Sequence, residues 1–142
     1  MRNALMLVIL LSACAHKTTP KPENPNTPEL WHTESGIYFT KLADVMESSG
    51  EDCTKLVAGL KSMEEQSTHL AKVLVEAGHQ LKQHTVDAHT RARISQHRTL
   101  FDRCEAEKTD GFADAVNATL FVVEPLKDDN RNSAYLIFFA PE

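Results

Sequence analysis

The stretch CTKLVAGLKSMEEQSTHLAKVLVEAGHQL, Cys53 to Leu81, decides the fold. Cys53, Leu56, Leu60, Met63, Ser67, Leu70, Leu74, Ala77 and Leu81 recur at steps of three and four, so on a helix of about 3.6 residues per turn they form one stripe. Only Ser67 interrupts its apolar character. Lys55, Lys61, Glu65, His69 and Lys72 fall off the stripe, as solvated side chains of an amphipathic helix do. Such a seam is the packing face of a helical hairpin or bundle, and it predicts core rather than a ligand site.

Working outward, Tyr38, Leu42, Val45 and Met46 share a helical face, which predicts a first helix from Glu34 to Ser48 that stops at Gly50. Ser49 and Asp52 have the spacing of a capping box and predict where the second helix begins. A third helical segment spans His84 to Glu107, with Ala88, Ala92, Leu100 and Cys104 on one face and Ile94 and Phe101 at its edges. A fourth starts with Asp110 as N-cap and carries Phe112, Ala113, Val116, Leu120 and Val123 until Pro125 ends it. Four helices joined by short connections predict an all-α, up-down antiparallel bundle over residues 34–126. In the C-terminal tail, residues 127–142, the apolar run Tyr135 to Phe139 is too short for a helix of its own and reads as extended chain. It either lies across the open side of the bundle or is covered by a partner.

The N-terminus has a different character. Met1, Arg2 and Asn3 precede eight apolar residues, Ala4 to Leu11, then Ser12, Ala13 and Cys14. A bilayer-spanning helix needs about 20 apolar residues, so residues 1–13 read as a cleaved export signal rather than an anchor. Leu11-Ser12-Ala13-Cys14 resembles the lipobox of bacterial lipoproteins at all four positions. The resemblance implies a diacylglyceryl group on the Cys14 sulfur, cleavage just before Cys14 and acylation of the new amine, hence a membrane partner through the lipid anchor. Two or more chains anchor stably where one does not. With alanine rather than aspartate at position 15, it also implies the outer membrane of the cell envelope as destination. Residues 14–33 then form the lipidated cysteine and a Pro-rich linker: four of the six prolines fall between Ala15 and Leu30, a composition that favours extended chain.

The chain has three cysteines, so if Cys14 is lipidated, Cys53 and Cys104 remain as an even pair in an exported domain, where disulfides persist. They are expected to be bonded. Their midpoint falls at Gly78-His79, and a turn there brings the start of the second helix level with the end of the third; periodicity to Leu81, with Thr85 or Asp87 able to cap a later start, leaves a turn several residues further on equally open, which requires unequal helix ends. One continuous helix would instead hold the cysteines about 75 Å apart.

Charge and motifs exclude several function classes. Loss of Arg2 with the signal takes the net charge from −5 to −6, and the densest basic stretch, Arg91 to Arg103, is interrupted by Asp102, so no nucleic-acid partner is expected. Seven histidines invite a metal reading in which a hairpin brings His69 near His89, but HxxxH and HExxH pairs are absent. CxxCH is absent too, and a non-covalent haem would need Met46 or Met63 opposite His97. GxSxG does not occur. Asn117-Ala118-Thr119 fits a glycosylation sequon, which a bacterial lipoprotein is not expected to use. No cofactor, metal or enzyme activity is therefore expected. Two function classes stay open: a non-catalytic envelope module that contacts another envelope protein or the cell wall, and a ligand- or metal-binding bundle, which requires an interior cavity of about 300 Å³ or more.

Overall fold

A computed structural model describes residues 28–78, 81–121 and 133–139. Among them the chain is all-helical: α1 (Pro28–Ser49), α2 (Cys53–Lys61), α3 (Glu64–Glu76), α4 (Ala88–Ser95), α5 (Arg98–Ala106), α6 (Phe112–Thr119) and α7 (Ala134–Phe139), with a single 3-10 turn at Gln83–Thr85. The four expected segments map onto α1, α2 with α3, α4 with α5, and α6. The second and third are each broken once, and the tail adds α7.

The seam of the second segment is the core. Eight of its nine positions are buried and Ala77 is half-buried, but the helix stops short of the expected end: α3 closes at Glu76, Ala77 is its cap, and Leu81 is buried from outside the helix, beyond the positive-φ Gly78. The break at Ser62–Met63 leaves the stripe in phase, because Met63 stays buried while its backbone (φ −99°, ψ −4°) departs from the α-helix. α1 packs along α2, α3 and α4, and α6 packs on α2 and α3, so the seam helices are enclosed from two sides and Val57 and Val73 are buried beside the stripe. α2 comes close to α1 at Gly59, where an added Cβ would lie 2.5 Å from Val45 Cγ1.

Several boundaries differ from the expectation, each for a local reason. α1 begins at Pro28, six residues before Glu34 and inside the predicted linker. Proline suits the first turn of a helix because the missing N–H has no intrahelical partner there, and burial of Trp31 ties these first turns to the core. Asp52, not Ser49, caps α2: its carboxylate accepts from the Thr54 and Lys55 amides at 2.9 and 3.1 Å. Ser49 instead ends α1, with its hydroxyl donating to the Val45 carbonyl. Gly50 and Gly78 both take positive φ, 56° and 65°, so the chain turns at the two glycines that punctuate the sequence. Asp87 caps α4 by accepting from the Thr90 amide at 2.9 Å. The buried face of α4 and α5 is Thr90, Ile94, Leu100, Phe101 and Cys104, whereas Ala88 and Ala92 are exposed. Larger side chains displace alanines from a core. Gly111 rather than Asp110 holds the N-cap position of α6. Val123 and Pro125 lie outside the described residues.

The tail is the largest correction. Ala134–Phe139 is helical, not extended, and belongs to the bundle rather than to a separate tail. Ser133 supplies the missing nucleus: its hydroxyl donates to the Leu120 carbonyl at 3.3 Å and accepts from the Leu136 amide at 3.3 Å. Phe138 packs edge-on to Phe39 of α1, and Phe139 stacks on Phe101 of α5 with ring centroids 4.8 Å apart. Arg98 closes the helix end by donating to the Phe139 carbonyl.

Candidate functional site

Cys53, the first residue of α2, and Cys104, near the end of α5, form a disulfide with Cα atoms 5.5 Å apart. The bond joins segments that do not pack as a hairpin, since α1 lies against both α3 and α4. That arrangement separates the histidines. His69 Nε2 is 3.6 Å from Glu34 near the start of α1, whereas α4, which carries His89, is tied to Glu47 near its end through Arg93. Thirteen residues along a helix correspond to about 20 Å. Among the described residues, no group of three or more His, Cys, Asp or Glu side chains converges as a metal site. Met46 and Met63 are fully buried in the core and His97 is half-exposed between α4 and α5. Asn117 sits exposed on α6.

Electrostatics concentrate at Arg93. Its guanidinium donates to both Glu47 oxygens, Nε to Oε1 at 2.7 Å and a terminal nitrogen to Oε2 at 2.6 Å, and to Asp44 Oδ1 at 2.7 Å. This fork holds the Glu47 carboxyl below the usual carboxylate range and clamps α4 to α1. The second polar centre is buried. Tyr38 donates to the Thr119 carbonyl, and Ser67 donates to the same oxygen at 3.0 Å. Burial pushes the Tyr38 phenol far above its ordinary pKa. Both centres are structural ties between helices.

One concavity has the make-up of a contact site. Between α5, α6 and α7 a half-open groove of about 230 Å³ is lined by Phe101, Phe112, Val116, Phe121 and Tyr135, with Glu105 and Asn117 as its polar groups. Phe101 and Phe112 meet edge-on at 5.6 Å and are almost fully buried. Phe121 and Tyr135 stack at 5.5 Å and are half-buried. Two further hollows, about 310 and 650 Å³, are shallower and more polar, one around Lys108 to Asp114 and one around Lys61 to Lys72.

Sequence reasoning missed the groove, because its aromatics come from α5, α6, the chain just past α6 and α7, and only folding assembles them. One signal was present. Asp102 on α5 and Glu107 at its C-cap each have an arginine four residues earlier and pair with it, Arg98 at 3.6 Å and Arg103 at 3.9 Å. Four residues before Glu105 stands Phe101, and Lys108 has already left the helix with φ 51°. Glu105 consequently has no ion-pair partner among the described residues.

Leu11, Ser12, Ala13 and Cys14 lie outside the described residues, and no described helix is long and apolar enough to cross a membrane. The sequence matches no protein-family model, no curated protein and no solved structure.

Proposed function

We propose that the chain is an envelope lipoprotein, anchored through Cys14 to the outer membrane, whose disulfide-stapled bundle is a non-catalytic interaction or structural module. The observation that carries this reading is the cysteine inventory. The Cys53–Cys104 bond accounts for two of three cysteines, and the third stands at the end of Leu11-Ser12-Ala13-Cys14, directly behind a short apolar run. A native disulfide fits an oxidising compartment, and export followed by lipidation puts the chain there. The thirteen residues between Cys14 and Pro28 span at most about 45 Å, which sets how far the bundle can stand from its anchor.

The interior favours contact over ligand storage. Large apolar side chains fill it, and the most apolar hollow, about 230 Å³, is below the range of about 300 to 1,000 Å³ for small-molecule pockets. Metabolic labelling with a fatty acid tests the anchor. Wild-type chain should take up label, and Cys14→Ser should accumulate as unlabelled precursor. Label retained by Cys14→Ser would overturn the reading.

A further inference from the structure

The α5–α6–α7 groove is small, aromatic and bordered by Glu105, a carboxylate without an ion-pair partner among the described residues, and these properties select an occupant. A flat apolar ligand would leave Glu105 unanswered. A cation on an apolar stem matches both parts: aromatic ring faces attract positive charge, and a carboxylate at the rim pairs with it. Volume limits the occupant to about one side chain. Arginine fits better than lysine, because a planar guanidinium stacks on rings while presenting a fork of donors to Glu105 and to the amide oxygen of Asn117. Arginine is also enriched among the few residues that dominate protein interfaces.

We infer that this groove is the socket for one arginine side chain of a partner protein, its guanidinium stacked on the half-exposed rings of Phe121 and Tyr135 and paired with Glu105. The inference rests on the interaction-module reading and identifies the chemistry of the partner. The net charge of the chain, −5 and one unit more negative once Arg2 leaves with the signal, attracts such a partner from a distance.

The test is a magnetic-resonance titration of the isotope-labelled mature chain in detergent micelles with N-acetyl-arginine amide, its lysine counterpart and N-acetyl-citrulline amide. Citrulline keeps the shape of arginine and removes the charge. The arginine probe should shift the amides of Glu105, Asn117, Phe121 and Tyr135 saturably, the lysine probe more weakly and the citrulline probe least. Glu105→Gln, at an exposed position whose side chain bonds nothing among the described residues, should weaken the arginine probe about fivefold. Equal shifts from arginine and citrulline, shifts unchanged in Glu105→Gln, or no shift at the groove would each overturn the socket. Tighter binding in Arg131→Ala would assign it to this chain's own arginine, and the same shifts on raising protein concentration alone would assign it to a second copy. Either result would overturn the partner assignment. Failure here leaves fatty-acid labelling of Cys14 untouched, so the two readings fall separately.

Discussion

The phenol of Tyr38 in α1 donates to the carbonyl of Thr119, the last residue of α6 and 81 positions later in the chain. A helix ends with carbonyls that have no partner within it, and this one is buried. Ser67 in α3 supplies a second donor at 3.0 Å, which explains the one polar residue in the apolar seam. Tyr38→Phe and Ser67→Ala should each lower stability by about 1 kcal/mol. The double variant should lose more than the sum, because Thr119 then faces the core with neither donor. Denaturant unfolding of the four proteins measures the coupling; simple additivity would show that the two bonds act independently.

The Cys53–Cys104 bond closes a loop with a sequence separation of 51. Chain-entropy bookkeeping puts its effect near 4 kcal/mol, a large share of the stability of a small domain. Calorimetry with and without reductant should show a clear fall in midpoint on reduction, and non-reducing peptide mapping should recover one linked Cys53–Cys104 fragment. Two free thiols in the native protein would contradict the structure.

Phe138 and Phe139 are 9% and 2% exposed, so α7 is part of the core. Truncation after Asn132 should cost about 3 kcal/mol or more, the scale of removing a buried phenylalanine. An unchanged thermal midpoint would mean that α7 covers nothing.

Ser35 is fully buried, and its hydroxyl has no hydrogen-bond partner among the described residues. Ser35→Ala removes that group and substitutes the better helix former. It should raise stability by about 0.5 to 1 kcal/mol, read as a higher thermal midpoint.

Acid should weaken the bundle through Glu47 and Asp87. Arg93 lowers the Glu47 pKa by hydrogen bonding, and Thr90 lowers that of Asp87, so both folded values lie below the ordinary 4.5 and 3.8. A carboxyl whose pKa falls on folding binds fewer protons in the native state. Its stabilisation is complete above its ordinary pKa and is lost as pH falls through the lowered value. Thermal midpoints should therefore be flat near neutrality and drop below about pH 4.5. Arg93→Gln should shrink that drop, and raised salt should shrink it in the wild type. An identical acid profile for Arg93→Gln would show that the clamp is not the cause.

The helical class, the stripe from Cys53 to Leu74, the turn at Gly50 and the pairing of two cysteines were legible in the sequence, whereas the end of the helix carrying that stripe was not: periodicity runs on to Leu81, and the structure ends α3 at Glu76. Each legible feature rests on chemistry within a few residues or on simple counting. Periodicity reports which face of a helix is apolar, and eight of the nine seam positions are buried. It does not report where a helix breaks while staying in phase, as at Ser62–Met63, nor which alanines larger neighbours displace, as at Ala88 and Ala92. Six apolar residues carry too little periodicity to separate helix from strand, and so short a helix does not persist alone in water. Only docking decided α7: Ser133 starts it, Phe39 and Phe101 hold Phe138 and Phe139, and Arg98 takes its last carbonyl. The groove beside Glu105 exists for the same reason, since rings brought from α5, α6, the chain just past α6 and α7 meet only when burying them against one another offsets the entropy of ordering the chain between them.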